Sequence, residues 1–210
     1  MIKKHLKTLI ITSLIILLPI IAGLILWNQL PEQMPTHWNA EGEIDGWSSK
    51  PFAVFAMPLI LLAAQWLIVL CAGADPKHQN HTDKIMNFIF WLIPALSVVI
   101  SFITYSAALG SDMRTEAVIS VFLGVMFVAI GNYLPKCKQN YTIGIKVPWA
   151  LNSEENWNKT HRLAGWVWVG GGIAVMLTGF FNLFWLMMVV TAIMVLVPFI
   201  YSYILHRKNV

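Results

Sequence analysis

The charges of this chain fall into short stretches, and long uncharged apolar runs separate them. The runs are Thr8–Trp27, Pro51–Ala74, Ile85–Ser111, Ala117–Pro135 and Leu163–Leu205. A helix needs about 20 apolar residues to cross a hydrocarbon core. The last run is roughly twice that length, and Gly179-Phe180-Phe181-Asn182 offers Gly and Asn for a turn that would divide it. The sequence therefore predicts an all-α integral membrane protein with six transmembrane helices. Only 11% of its residues are charged, against about 25% in soluble domains. A single soluble core could not hide this much apolar surface.

Lysine and arginine set the expected orientation, because cytoplasmic loops are enriched in both. With the N-terminus inside, the inner stretches carry Lys3, Lys4, Lys7, Lys77, Lys84, Lys136, Lys138, Lys146, Lys159, Arg162, Arg207 and Lys208. The outer stretches carry only Lys50 and Arg114. Both termini are expected in the cytoplasm. The basic balance then reflects topology, and no direct nucleic-acid partner is expected. The first apolar run exceeds the core of a secretory signal, about 7–15 residues. No small-x-small pair precedes Asn28, so the segment reads as an anchor. Cys71 and Cys137 both map to the reducing inner side, where no disulfide is expected.

Long connections follow spans one and four, Asn28–Lys50 outside and Lys136–Arg162 inside. Each half thus reads helix, long loop, helix, short link, helix, the layout of a possible 3+3 inverted repeat. A modular division places residues 1–84 in an N-terminal module and 85–210 in a second one. Pro19, Pro58, Pro94 and Pro198 lie inside spans and should kink them. Gly165 and Gly170-Gly171-Gly172 should let another helix approach span five closely. Trp27, Trp166 and Trp168 stand near span ends, where indoles anchor at the headgroups.

No Asp, Glu, Lys, Arg or His lies in the middle of a span; Gln65, Asn182 and a few Ser and Thr are the polar residues there. This disfavours ion-coupled transport and intramembrane catalysis, which need ionisable groups or metal ligands at depth. No catalytic residue, metal site or cofactor is assigned. His78-Gln-Asn-His81 and the pair of His37 with Asp45 or Glu41 are weak metal signals.

The outer loop bears Glu32, Glu41, Glu43 and Asp45 against Lys50. Turn signals at Asn39–Gly42 and Asp45-Gly46 suggest a small hairpin lying on the membrane. An acidic, Trp-bearing loop suits a cationic or amphipathic peptide, and His37, Trp38, Glu41, Asp45 and Trp47 are the candidate contacts. In the plainer alternative, His37 and Asp45 bond to backbone and only fold the loop. In the inner loop, Asn152 and Glu155 resemble a helix N-cap with its reciprocal partner, and a helix from Ser153 would run into span five. Trp157, His161 and Ala164 would share one face of it, with Trp149 and Trp157 at the membrane interface. This loop is either a membrane-surface helix or a docking face for a cytoplasmic partner, with Lys146, Pro148, Trp149, Trp157, Lys159, His161 and Arg162 as candidates.

The inner stretch Asn132…Pro135…Asn140…Gly144-Ile145-Lys146-Val147-Pro148-Trp149-Ala150-Leu151…Trp157…Thr160-His161…Gly165 resembles the signature of the SdpI-type immunity proteins of bacterial cell membranes. The outer stretch Pro35-Thr36-His37-Trp38…Gly42…Asp45-Gly46…Lys50 resembles the N-terminal module that accompanies it. The family pattern carries threonines where this chain has Val147 and Ala150. The resemblance implies resistance to a secreted killing peptide. It further implies a relay in which the membrane protein holds a small cytoplasmic transcriptional repressor. A small-molecule or peptide transporter, or a membrane scaffold without a toxin link, are the alternatives.

Overall fold

The computed structural model describes residues 2–39, 42–181 and 183–210. Six of its helices are long and apolar enough to cross a membrane, and the chain is a multi-pass membrane protein. They are α1 (Ile2–Ile25), α2 (Met57–Ala74), α3 (Asp83–Ala108), α4 (Thr115–Tyr133), α6 (Glu154–Phe180) and α7 (Phe184–Arg207). The short α5 (Pro148–Asn152) precedes α6. Helices α3, α4 and α7 match their expected apolar runs to within a few residues; α1 starts earlier and takes in Lys3, Lys4 and Lys7, α6 starts earlier still at Glu154, ahead of Leu163, and α2 starts inside its run at Met57. The longest run breaks between Phe180 and Phe184, where the Gly-Asn turn was expected. Asn182 itself lies outside the described residues.

Large apolar side chains point outward: Leu14, Leu18, Ile21 and Ile25 on α1 are exposed, as are Trp185, Val195 and Leu196 on α7. Small and hydroxylated residues are buried instead, among them Thr12, Ser97, Thr104, Ser120, Thr178 and Ser202. This arrangement suits lipid as the solvent. Helices there gain little from hiding leucine, and associate through close backbone approach and interhelical hydrogen bonds.

The chain forms two compact units. Residues 1–70 and 87–115 make the first, and residues 71–86 and 116–210 the second, so α2 and α3 each contribute to both. In the first unit, Gln65 Nε2 donates to Thr12 Oγ1 at 2.8 Å. Ser97 Oγ donates to the Ile16 carbonyl at 2.9 Å, and Tyr105 Oη to the Pro19 carbonyl at 3.1 Å. The two carbonyl acceptors lie within one turn of Pro19, which has no N–H to give to the helix. Gly23 is what allows this approach: a Cβ there would stand 2.6 Å from Val54 Cγ1 and 2.8 Å from Tyr105 Oη.

A π-helical turn, Phe52–Ala56, leads into α2. Met57 N–H reaches the Phe52 carbonyl across it, just before Pro58, which has no N–H to give.

In the second unit, glycines bring α4 and α6 together. A Cβ on Gly124 would lie 2.5 Å from the Gly172 carbonyl oxygen, and one on Gly172 would lie 2.7 Å from the Gly124 carbonyl oxygen. Seven residues along each helix, Gly131 and Gly165 repeat the contact. Gly171 faces Met194 of α7, whereas Gly170 meets nothing within 4 Å. Close approach was thus correctly expected of Gly165, Gly171 and Gly172, and Gly170 takes no part in it.

Gly172→Val should drive side chain into backbone and lower the thermal stability of the detergent-solubilised protein, by about 1–3 kcal/mol or more. Gly170→Ala should leave stability unchanged or raise it by up to about 1 kcal/mol, since alanine favours the helix and the space is open.

Candidate functional site

The outer loop folds as the expected hairpin. Strands β1 (Gln33–Trp38) and β2 (Ile44–Ser49) pair antiparallel, with irregular register around Pro35, His37 and Trp38. Asn39 builds the turn: its Oδ1 accepts from Glu43 N–H at 2.8 Å and its own N–H donates to the Glu43 carbonyl at 2.9 Å. The second turn signal was misleading. Asp45 and Gly46 lie within β2. Gly46 sits so close to His37 that a Cβ there would meet His37 Cβ at 2.8 Å.

The hairpin is seated on the helices by its base. Met34 is fully buried in a cluster with Leu30, Ala53, Val54 and Tyr105. Lys50 is buried, with Nζ 2.9 Å from Glu32 Oε1, 3.2 Å from the Trp27 carbonyl and 5.0 Å from the centre of the Trp27 ring. Trp27 therefore does more than anchor: it packs against Phe55 and receives the lysine.

The tip is open. His37 Nδ1 lies 2.5 Å from Asp45 Oδ1, and the two side chains are 71% and 44% exposed. They pair with each other across the strands, rather than with backbone. Trp47 is 56% exposed and Trp38 half-buried. Four of the five outer candidates thus share one small hairpin; Glu41 lies outside the described residues.

The inner loop is a folded plug. Asn140 Oδ1 accepts from Thr142 N–H and Ile143 N–H, and its Nδ2 donates to the carbonyls of Lys138 and Ile143. The chain then turns at Gly144, at φ +111°, a conformation natural to glycine. A Cβ on Gly144 would stand 2.4 Å from His161 Nε2. That nitrogen accepts from Ile145 N–H at 3.0 Å, while Nδ1 bonds the Trp157 carbonyl at 2.8 Å. A carbonyl only accepts, so the bonding fixes a neutral, Nδ1-protonated imidazole.

Trp157 stacks on His161 with ring centres 4.0 Å apart, and its indole N–H donates to the Cys137 carbonyl at 2.7 Å. Burial pushes the Cys137 thiol up to about 11. Trp157 and His161 are 0% and 1% exposed. The expectation that Trp157 sits at the membrane interface is therefore overturned, although the shared face of Trp157, His161 and Ala164 is correct. The helix cap also differs: Ser153, not Asn152, accepts from Asn156 N–H at the start of α6.

Two further residues hold the plug. Asn156 bonds Ser202 by Oδ1 and by Nδ2, and Ser202 Oγ in turn accepts from Trp149 Nε1 at 2.9 Å. Asp75, at the end of α2, accepts from Tyr141 N–H, Thr142 Oγ1 and Lys77 N–H, with His81 Nε2 at 3.2 Å. Burial pulls the Asp75 carboxyl up, but these hydrogen bonds and the nearby His81 outweigh it and leave the group below its usual value. Gln139 joins the same knot by accepting from Lys77 Nζ and donating to the Ala150 carbonyl. Sequence reasoning missed Asp75, Gln139 and Asn140 as organising residues. The signal was a lone carboxylate at a span end and a tandem Gln-Asn pair.

Lys146, Pro148, Lys159 and Arg162 remain on the outside of this plug, and Trp149 is half-buried against Phe199, Tyr203 and His206. Val147 occupies the N-cap of α5, in extended backbone and with no side-chain cap bond. A threonine there could accept from the first free N–H groups of α5, the usual role of such a cap. Ala150 is fully buried, so a hydroxyl in its place would need a partner of its own. Val147→Thr should therefore slow hydrogen exchange at the Trp149 and Ala150 amides by about 2–5-fold, the effect of a cap worth about 0.5–1 kcal/mol.

Comparison with known proteins agrees with this reading. Residues 136–202 match the model of the SdpI/YfhL protein family, and residues 14–62 match a domain of unknown function, DUF1648. The Immunity protein SdpI of Bacillus subtilis (strain 168) is 25% identical over 205 residues, which cover 96% of this chain and 97% of that protein. No solved structure matches. The plug and the helices behind it thus match the SdpI/YfhL family model, in a multi-pass membrane protein that is similar to the Immunity protein SdpI along nearly its whole length.

Proposed function

We propose that this protein is a membrane immunity protein that protects its cell against a secreted killing peptide, without catalysis. The observation that carries the reading is the end-to-end similarity to an immunity protein, joined to a rigidly seated hairpin with an open tip. Both termini face the cytoplasm, as the lysine and arginine bias favours, so the hairpin faces outward and meets the peptide. His37, Asp45 and Trp47 supply a charged, hydrogen-bonding and aromatic surface, with Trp38 beside them. A tip on a supported base costs little to order when a partner binds.

In a toxin-sensitive bacterium lacking its own immunity gene, the wild-type chain should restore survival against the purified sporulation-delaying peptide. His37→Ala or Asp45→Ala, at equal membrane levels, should lower the tolerated peptide concentration by about tenfold, a loss of roughly 1.4 kcal/mol of binding. An exposed pair of this kind contributes at most about 1 kcal/mol to folding, so unfolding is not the expected cause. Absence of protection by an inserted, folded wild type would move the transporter and scaffold readings ahead.

The finer reading is a relay. The peptide at the hairpin favours one helix packing, and the inner plug then offers a different face to a small cytoplasmic repressor. Lys146, Pro148, Trp149 and Lys159 are the accessible contacts, with Arg162 at their edge. Trp157 and His161 act from within, by holding the plug's shape. Such coupling requires that peptide and repressor each bind one state more tightly. Peptide affinity should therefore rise when the repressor is bound; equal affinity with and without it removes the relay.

A further inference from the structure

Between α4 and α6, at the end of the second unit that carries the plug, lies a groove of about 330 Å³ that neither the hairpin nor the plug uses. Its floor forms where Gly165 meets Pro135, so closely that a Cβ on Gly165 would stand 2.6 Å from Pro135 Cγ. Lys136 and Arg162 line it from opposite sides, and no carboxylate among the described residues does. Trp166, 77% exposed, flanks it one turn further along α6.

The position is specific. Lys136 closes the fourth span, and the apolar run of α6 begins at Leu163, immediately after Arg162. Both cations therefore stand where polar sequence gives way to membrane-spanning sequence, the level at which an indole such as Trp166 prefers to lie. Neither is neutralised by the protein. The Arg162 side chain has no hydrogen bond or ion pair among the described residues. Lys136 has a long 3.5 Å contact with Asn132 Oδ1 and stands 5.1 Å from the Tyr133 ring centre. Lys159, one turn before Arg162, differs: it is paired with Glu155 at 2.7 Å. Two uncompensated cations beside hydrocarbon call for an anion at that depth. The forked guanidinium matches a phosphate diester, with the ammonium as a second point charge. The groove has the size of a headgroup with the start of its acyl chain, and is small for a protein segment.

We infer that this groove binds the headgroup of an anionic phospholipid, its phosphate between Lys136 and Arg162 and its glycerol region against Trp166. The lipid bridges α4 and α6 beside their glycine contact and stabilises that pairing.

The test uses the full chain purified in neutral detergent, with thermal stability and native mass spectrometry as readouts. Dioleoyl-phosphatidylglycerol should raise the melting temperature and leave one retained lipid per chain. Dioleoyl-phosphatidylcholine and inorganic phosphate should do neither. Lys136→Gln with Arg162→Gln should weaken the phosphatidylglycerol effect by about 10- to 30-fold in lipid concentration, while Lys159→Gln keeps it. Arg162→Lys, which retains charge, should keep part of the effect, and a double variant that melts at the wild-type temperature without lipid shows that its loss is not misfolding. An equal response to phosphatidylcholine, or equal weakening by Lys159→Gln, overturns the site. So does a response to inorganic phosphate as large as that to the lipid, which would mean a free-ion site.

Discussion

A helix surrounded by lipid gains almost nothing by hiding leucine against another helix, and this constraint shapes the whole chain. What remains to hold the spans is backbone contact and hydrogen bonding. In the first unit Gln65, Ser97 and Tyr105 donate to groups on α1, with close approach at Gly23. In the second, paired glycines bring α4 against α6, and Asn156 and Trp168 bond to groups on α7. The same constraint explains why both long loops are knotted by side chains bonding to backbone. Polar backbone near the membrane must be satisfied by the protein where water is scarce.

The two loops solve this problem differently. The outer one is a two-stranded hairpin, too small to be stable alone. It is seated by Met34 in an apolar cluster and by Lys50, which donates to the Trp27 carbonyl just past α1. The pair of His37 and Asp45 is exposed at the surface. The inner loop has little regular structure, and is held by side chains that take the place of a ladder. Asn140 supplies four bonds, Asp75 three, and a neutral His161 two. Gly144 is required there because only a residue without Cβ can pass over the imidazole.

The spans were legible because charge is excluded from hydrocarbon at a cost of several kcal/mol per residue, which leaves sharp gaps in the sequence. The hairpin was legible from Asn39 and Gly42. Side-chain direction was not. Helical spacing places Trp157, His161 and Ala164 on one face of α6, but amphipathic residues such as Trp and His suit an interface and an interior equally well. Deciding between them needed Gly144 and Ile145, which are distant from His161 in sequence and meet it only through the turn that Asn140 builds. Asp45-Gly46 failed for a related reason. Gly there reflects close packing against His37 across the strands, while the turn itself belongs to Asn39.

The buried position of Trp157 and His161 changes what the inner signature is for. Residues that define a family's sequence pattern invite a reading as a contact surface, yet these two touch only their own chain. They fix the shape of a plug whose outward face is carried by Lys146, Pro148 and Lys159. A relay from the hairpin must then alter the plug by moving the elements it is tied to, since a neutral imidazole with both nitrogens bonded offers no ready charge change of its own. The ties are specific: Asp75 closes α2, and Asn80, just before α3, bonds the Gln139 carbonyl. Both α2 and α3 also run through the unit that seats the hairpin. Any relay that reaches the plug through these helices would act on the hydrogen bonds that Asp75 and Asn80 make to residues 139–142.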